Sequence, residues 1–185
     1  MTRPPALPPV ITIFGGSAVR PGQPAWREAF EFSRIMAPVA RIYCGGYGGV
    51  MDAVARGAKA GGGGAHGILC TGLEWGNRQS PALASNETAR DLYDRLRRLI
   101  EPARVYVAFD GSCGTLGEIA MLLGFFRSGQ KLGRPLILVG KRNHALAAAL
   151  KQTGYLPASV RPAVKIAMTA ESAVRMARKI LKTAR

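Results

Sequence analysis

Residues 105–126 read VYVAFDGSCGTLGEIAMLLGFF, and this stretch indicates the fold of the whole chain. It begins with a run of β-branched, aromatic and apolar residues at 105–109, which predicts a short buried strand. The turn DGSCG follows, and the apolar pattern then predicts a helix over 115–126. A strand that enters a helix through a glycine turn is the repeating unit of parallel α/β sheets.

The same alternation of strand and helix patterns runs through the rest of the sequence. Further strands are predicted at 10–14, 41–44, 65–70, 135–139 and 164–168, and helices at 25–36, 50–59, 86–100, 143–151 and 170–182. Residues 71–84 lack a clear period and are predicted to form a functional loop. This order predicts a doubly wound parallel sheet in a three-layer α/β/α fold of Rossmann type. We expect a single nucleotide-binding domain over 10–185 and an extended lead-in at 1–9.

Composition and charge are typical of a globular cytoplasmic protein. Hydrophobic residues make up 48% of the chain, yet no apolar run is long enough for a membrane span, and no secretory signal is visible. The three cysteines, Cys44, Cys70 and Cys113, have no paired spacing, which argues against disulfides and a zinc site. No metal centre is expected. The net charge of +15 favours anionic partners, but aromatic residues are only 7%, which makes a nucleic-acid groove unlikely.

Three glycine-rich turns follow predicted strands at 10–14, 41–44 and 105–109. Glycine lets backbone N–H groups approach an anion closely, and the start of the next helix adds unpaired donors. Neither the dinucleotide fingerprint nor the lysine of a P-loop is present, so a mononucleotide or a sugar phosphate is favoured. The candidate phosphate- and nucleotide-binding residues are Gly15, Gly16, Ser17, Gly45, Gly46, Gly48, Gly49, Met51, Asp110, Gly111, Ser112, Cys113, Gly114 and Thr115.

These motifs resemble those of the LONELY GUY phosphoribohydrolases, long described as lysine decarboxylase-like. The segment DGSCGTLGE, residues 110–118, is similar to the PGGxGTxxE motif of that family. The block YCGGYGGVMDAVARGA, residues 43–58, follows the family's YGGGxxGLMGAVA, and GGS at 15–17 matches its first glycine-serine turn. The family also carries an arginine 23 residues before the glutamate of the motif, which corresponds here to Arg95 and Glu118.

The resemblance implies hydrolysis of the N-glycosidic bond of a nucleoside 5′-monophosphate, giving free base and ribose 5-phosphate, with no cofactor required. Glu118 would stabilise the positive charge that develops on the ribose or orient water, and Arg95 would hold the phosphate or assist the departing base. Taken alone, Arg95 is typical of a solvated helix face, Glu118 of a first-turn acid and Thr115 of an N-cap. Tyr47 and Trp75 are candidates for stacking on a base.

Three departures from the family pattern leave other functions open. Asp110 replaces the proline of the motif, Ser112 its second glycine, and Leu96 the lysine that follows the arginine. The alternative is a non-catalytic carrier or sensor of a phosphorylated ligand such as the molybdenum cofactor, whose carrier proteins resemble this family too. Single-stranded DNA binding, suggested by the positive charge, is a third possibility that Arg95 and Glu118 do not support.

The resemblance also predicts that the chain is a homo-oligomer, and a homodimer first. Phosphoribohydrolases of the family are dimers or larger, with residues of both subunits near the site. The apolar helix at 119–126 is the expected contact face, unless it only packs against its own sheet.

Overall fold

The computed structural model describes residues 7–73, 78–130 and 134–183, and within them seven parallel strands form one sheet. The strands are β1 (Val10–Phe14), β2 (Arg41–Cys44), β3 (Ala65–Cys70), β4 (Ser85–Ala89), β5 (Ala103–Ala108), β6 (Leu136–Val139) and β7 (Val164–Ala167). Their order in the sheet is β4-β3-β2-β1-β5-β6-β7. The helices are α1 (Pro24–Met36), α2 (Val50–Ala60), α3 (Leu92–Ile100), α4 (Cys113–Arg127), α5 (Lys141–Gln152) and α6 (Ala170–Thr183). The predicted parallel, doubly wound architecture is confirmed.

Helices cover both faces of the sheet because successive strand residues point to opposite sides. In β1, Ile11 and Ile13 face the core formed with α1, α2 and α6. Val10 and Phe14 face the opposite core, which contains residues of α3, α4 and α5. The central strands are therefore buried on both sides, as parallel strands generally are, and this gives the three-layer α/β/α architecture expected from the sequence.

The order of the strands reverses beside β1, which lies between β2 and β5. The loops after these strands lead to helices on opposite faces of the sheet, so a crevice opens at the carboxyl ends of the strands. Ligands of open α/β sheets bind at such a switch point. The three predicted glycine turns follow β1, β2 and β5, which are adjacent at this point. A fourth glycine turn, at Gly140 with a φ of 96°, follows β6.

The prediction of one helix over 86–100 is wrong. Residues Ser85–Ala89 form the edge strand β4, and only Leu92–Ile100 are helical. The helix begins late because the Asp91 side chain caps it, accepting a hydrogen bond from the Asp94 amide at 2.8 Å. β4 pairs with β3 only and is largely exposed, so its residues SNETA are polar. The sequence therefore lacks the apolar pattern by which a strand is predicted.

Other boundaries differ by one or two residues from the predicted ones. The most relevant is the start of α4, which begins at Cys113 and so includes Cys113 and Gly114 in its first turn. Residues 1–6 of the predicted lead-in lie outside the described residues, and 7–9 form no regular element. Within the described ranges, no helix combines the length and apolar character that crossing a membrane requires.

Candidate functional site

The loops after β1, β2 and β5 are joined by backbone hydrogen bonds. The Gly16 amide donates to the Asp110 carbonyl at 3.0 Å, and the Val50 amide donates to the Gly16 carbonyl at 2.9 Å. Segments that are far apart in sequence therefore meet at the switch point. The structure brings the predicted glycine residues of all three loops into one crevice.

Two of these glycines are required by the close approach of the backbones. Gly49 has a φ of 69°, and a Cβ atom there would lie 2.2 Å from the Gly16 carbonyl oxygen. A Cβ on Gly16 would lie 3.0 Å from the Cα of Gly111. Any side chain at these positions would push the loops apart, so the shape of the crevice depends on glycine.

Arg95 extends from α3 into the interior and is held there by backbone carbonyls. Its Nε donates to the Ile68 carbonyl at 2.8 Å, and its Nη2 donates to the Gly45 carbonyl at 3.2 Å. The guanidinium also lies 5.7 Å from the centre of the Tyr47 ring, within cation–π range. Arg95 is only 8% exposed, so it does not belong to a solvated helix face.

The other arginines of α3 surround Asp94. Arg97 donates to the Asp94 carboxylate at 2.8 Å and Arg98 at 3.1 Å, and these hydrogen bonds hold the pKa of Asp94 well below its usual range. Arg98 also donates to Glu87 of β4 at 2.8 Å. This network fixes α3 against the sheet edge and directs Arg95 toward the crevice.

Glu118 meets Arg95 from the second turn of α4. Its Oε1 lies 3.9 Å from Nη1 of Arg95, and its side chain is 13% exposed. Burial raises the pKa of Glu118 from its usual 4.5 to about 7, while the charge of Arg95 lowers it. Glu118 is therefore able to gain or lose a proton near neutral pH, as acids and bases in active sites do.

The first turn of α4 presents donors to the crevice. Ser112, the N-cap residue, makes no side-chain cap, and the amides of Cys113, Gly114 and Thr115 donate to no acceptor among the described residues. Ser112, Cys113 and Gly114 are exposed, whereas Thr115 is buried. Unpaired donors at a helix start, together with the helix dipole, favour an anion.

A cavity of about 330 Å³ adjoins this turn on the side of β6. Its wall includes Thr115 and two residues that the sequence reasoning missed, Arg142 and Asn143. Asn143 is buried and donates to the carbonyls of Ala108 and Val139 at 2.8 and 3.0 Å, which ties α5 to the ends of β5 and β6. The sequence signal for these residues was Gly140, a further glycine at the end of a strand.

Asp110 lies between the glycine loops and this cavity. Its Oδ1 is buried and has no hydrogen-bond partner among the described residues, and it lies 3.5 Å from where a Cβ on Gly140 would stand. Burial raises the pKa of Asp110, while the charge of Arg142 lowers it. Asp110 thus makes no ion pair within the described residues, in contrast to Glu118, which lies 3.9 Å from Arg95.

The remaining predicted residues lie around the same crevice. A Cβ on Gly15 would overlap Val50, Gly46 packs against Gly67 and Leu69, and Gly48 and Ser17 are in contact range of each other. Met51 is buried, with its sulfur beside Gly45. The hydroxyl of Tyr47 is hydrogen-bonded to the backbone of Cys70, and Trp75 lies outside the described residues.

The predicted loop at 71–84 is attached to the second glycine turn. The Ser80 amide donates to the Gly46 carbonyl at 2.9 Å, and its hydroxyl donates to Asp52 of α2 at 2.7 Å. Residues 74–77 of this loop lie outside the described residues. In the part of the chain that is described, no group of histidine, cysteine, aspartate and glutamate side chains is arranged to hold a metal ion.

The fold and the crevice define a Rossmann-like α/β protein with its glycine loops at the switch point of the sheet. The model of the SLOG cluster4 family matches residues 8–163, and the chain belongs to this family. The family is LONELY GUY-like and related to the DNA-processing protein DprA, so the resemblance seen in the sequence is confirmed at the level of the family.

Solved structures show the same fold over nearly the whole chain. The molybdenum cofactor binding protein of Rippkaea orientalis is 24% identical, with a TM-score of 0.73, over 94% of this chain and 98% of that one. The Moco carrier protein of Chlamydomonas reinhardtii is 25% identical, with a TM-score of 0.69, over 96% and 99% of the two chains.

A more distant likeness joins the chain to DNA processing protein A of Streptococcus pneumoniae. The two are 13% identical, with a TM-score of 0.60, over 91% of this chain and 61% of that one. At this identity, as for the Rippkaea protein, the likeness concerns the fold alone. A search of the curated proteins returned no match.

Proposed function

We propose that the protein is a phosphoribohydrolase, which cleaves the N-glycosidic bond of a nucleoside 5′-monophosphate to free base and ribose 5-phosphate. The observation that carries the proposal is the buried Arg95–Glu118 pair, with an N···O distance of 3.9 Å, beside the free donors of α4. The glycine loops and the first turn of α4 supply a site for the phosphate. The carboxyl group of Glu118, within the crevice, supplies the negative charge that the reaction needs.

In this reaction the bond between C1′ and the base nitrogen breaks, and the base leaves with the bonding electron pair. Water adds its hydroxide to C1′ and its proton goes to the base, so base and ribose 5-phosphate are the only products. Ionised Glu118 would stabilise the positive charge on the ribose and accept a hydrogen bond from the attacking water. Because its pKa in the ligand-free protein is about 7, we expect kcat/KM to rise with pH and to level off above that value.

Arg95 acts in this proposal as a positioning residue. Its Nε and Nη2 are used by the carbonyls of Ile68 and Gly45, so its position is fixed before any ligand binds. Its charge opposes the effect of burial on Glu118 and keeps part of the glutamate ionised at neutral pH.

The test is incubation of the purified protein with a panel of nucleoside 5′-monophosphates, followed by assay of free base and ribose 5-phosphate. We expect release from at least one nucleotide and a loss of at least about 100-fold in Glu118→Gln. Glu171→Gln removes an exposed acid of α6 and serves as the matched control. Absence of release from every nucleotide, or unchanged turnover in Glu118→Gln, would contradict the proposal.

A second candidate is a carrier of the molybdenum cofactor. The observation that favours it is the likeness to the Moco carrier protein of Chlamydomonas reinhardtii over 99% of that chain. The replacement of the motif's proline by Asp110 and the loss of the lysine at Leu96 also favour binding without hydrolysis. The measurement is molybdenum and pterin content of the protein after incubation with the released cofactor. Stoichiometric binding that persists in Glu118→Gln, without hydrolysis of any nucleotide, would support the carrier function and contradict the enzymatic one.

We further propose that two copies associate through the outer face of α4. This face is apolar, with Leu116 44% and Met121 38% exposed, and apolar grooves of about 410 and 370 Å³ flank it. Gly117, Ala120 and Gly124 on the same helix allow two helices to approach closely. Sedimentation velocity tests this directly: Met121→Lys should give monomers, whereas Val39→Lys, at another exposed apolar position, should remain dimeric. Monomeric wild-type protein would contradict the association.

A further inference from the structure

Arg95 is held in place by the chain itself. Its Nε and Nη2 donate to the carbonyls of Ile68 and Gly45, Glu118 lies 3.9 Å from its Nη1, and its side chain is buried. In the family pattern a lysine follows this arginine, but the corresponding residue here is Leu96. One cation of the family pattern is therefore missing here, and a cation from another element is a candidate to replace it.

The cavity beside the first turn of α4 contains the groups that such a phosphate would need. Cys113 and Thr115 line it, and their amides are unpaired within the described residues. The Thr115 side chain is only 6% exposed, lines the cavity and makes no hydrogen bond to any residue that the structure describes. Its hydroxyl oxygen is not fully enclosed, and it can donate a hydrogen bond to a phosphate oxygen.

Arg142 supplies the cation at this cavity. It lines the cavity, is exposed, and forms no ion pair or hydrogen bond within the described part of the chain, although its charge lowers the pKa of Asp110. It lies in the first turn of α5, and the hydrogen bonds of the neighbouring Asn143 to Ala108 and Val139 fix that turn against β5 and β6. The cation and the start of α4 therefore border the same space of about 330 Å³.

We propose that this cavity is the phosphate subsite of the protein and that Arg142 is its phosphate-binding cation. The proposal rests on the proposed function in that the ligand is a phosphate monoester. It adds that the phosphate lies on the β6 side of α4, away from Arg95, and that Arg142 replaces the cation that is lost at Leu96. Guanidinium binds two phosphate oxygens at once, and backbone amides bind the others.

The test is calorimetric titration with ribose 5-phosphate, adenosine 5′-monophosphate and adenosine, for wild type, Arg142→Gln and Lys151→Gln. Lys151 lies at the other end of α5 and is exposed, so its substitution removes the same charge outside the cavity. We expect Kd for both phosphate compounds to rise about tenfold or more in Arg142→Gln and to stay within about twofold in Lys151→Gln. Adenosine should bind both variants as it binds wild type.

Equal affinity of wild type and Arg142→Gln for both phosphate compounds would overturn the proposal, as would absence of any binding to wild type. An equal loss for adenosine would also overturn it, because Arg142 would then not act on the phosphate. Because Arg142 is exposed and makes no hydrogen bond or ion pair with the described residues, thermal unfolding of Arg142→Gln should match wild type and exclude a folding defect.

The same proteins separate this proposal from the proposed hydrolysis. Arg142-dependent binding of ribose 5-phosphate without cleavage of any nucleotide would support the subsite and contradict the enzyme. Cleavage with the same KM in wild type and Arg142→Gln would support the enzyme and contradict the subsite.

Discussion

Arg95 of α3 and Arg142 of α5 each have one acid nearby. Arg95 is buried, is held by two backbone carbonyls and lies 3.9 Å from Glu118. Arg142 is exposed and does not approach Asp110 within the 4.0 Å of an ion pair, although its charge still lowers the pKa of Asp110. The first arginine is therefore anchored by the protein's own backbone, whereas the second makes no hydrogen bond to any described residue.

The largest expected effect is on the free energy of unfolding, and it follows substitution of the buried Arg95. Arg95→Met keeps much of the side-chain volume but leaves the carbonyls of Ile68 and Gly45 without a donor and Glu118 without its cation. We expect the free energy of unfolding to fall by about 3 kcal/mol or more, since removing one partner of a buried pair is strongly destabilising. Arg142→Met should change it by no more than about 0.5 kcal/mol. Urea denaturation of both variants is the measurement, and equal effects would remove the contrast between the arginines.

A similar contrast exists within the glycine loop between β2 and α2. Gly49→Ala places a Cβ 2.2 Å from the Gly16 carbonyl oxygen at a φ of 69°, whereas the same atom on Gly48 would have 3.6 Å to its nearest neighbour. We expect Gly49→Ala to lower the free energy of unfolding by about 2 kcal/mol or more and Gly48→Ala to change it little. Equal stability of the two variants, measured by urea denaturation, would mean that the loops are not held as closely as described.

The sequence predicted the central part of the fold better than its edge. β1, β2 and β5 are apolar runs that end in glycine, so both the strands and the crevice were predictable from residue type. β4 is a polar edge strand, and its five residues were assigned to the following helix because nothing apolar marked them. Its pairing with β3 is a tertiary contact that a local pattern does not reveal.

The two arginines also differ in how far the sequence alone could predict their roles. The spacing to Glu118 drew attention to Arg95, although its burial followed only from the network around Asp94. Arg142 is one of 26 lysines and arginines, and its local signal, Gly140 two residues earlier, marks only the end of a strand. It becomes a candidate only because β6 pairs with β5 and brings the start of α5 beside the start of α4.

Glu118 provides a test through the pH dependence of stability. Its pKa is about 7 in the folded protein and 4.5 when exposed, so the native state binds a proton that the unfolded state has lost between these values. Stability should therefore fall as pH rises through this window, by up to about 3 kcal/mol. Glu118→Gln should lack this fall and unfold at higher denaturant concentration than wild type at pH 8. A parallel pH dependence in both proteins would show that Glu118 is not buried beside Arg95 as described.

The smallest effect is expected at Asp110, the acid beside Arg142. Its negative charge opposes an anion in the neighbouring cavity, and Asp110→Asn removes it without changing the shape. We expect ribose 5-phosphate to bind about fivefold more tightly to Asp110→Asn at neutral pH. The gain should shrink as pH falls, because Asp110 of wild type then takes up its own proton. Weaker binding to Asp110→Asn would instead mean that the carboxylate orients Arg142 or accepts a hydrogen bond from the ligand.

The division of roles between the two sides of the crevice is tested most directly by steady-state kinetics with the preferred nucleoside 5′-monophosphate. For Glu118→Gln we predict a fall of kcat by at least about 100-fold with little change in KM. For Arg142→Gln we predict a rise of KM by about tenfold with little change in kcat, because phosphate binding contributes equally before and during bond cleavage. Substitutions that change the same parameter would contradict the division, and a wild-type protein that cleaves no nucleotide would contradict the proposed reaction itself.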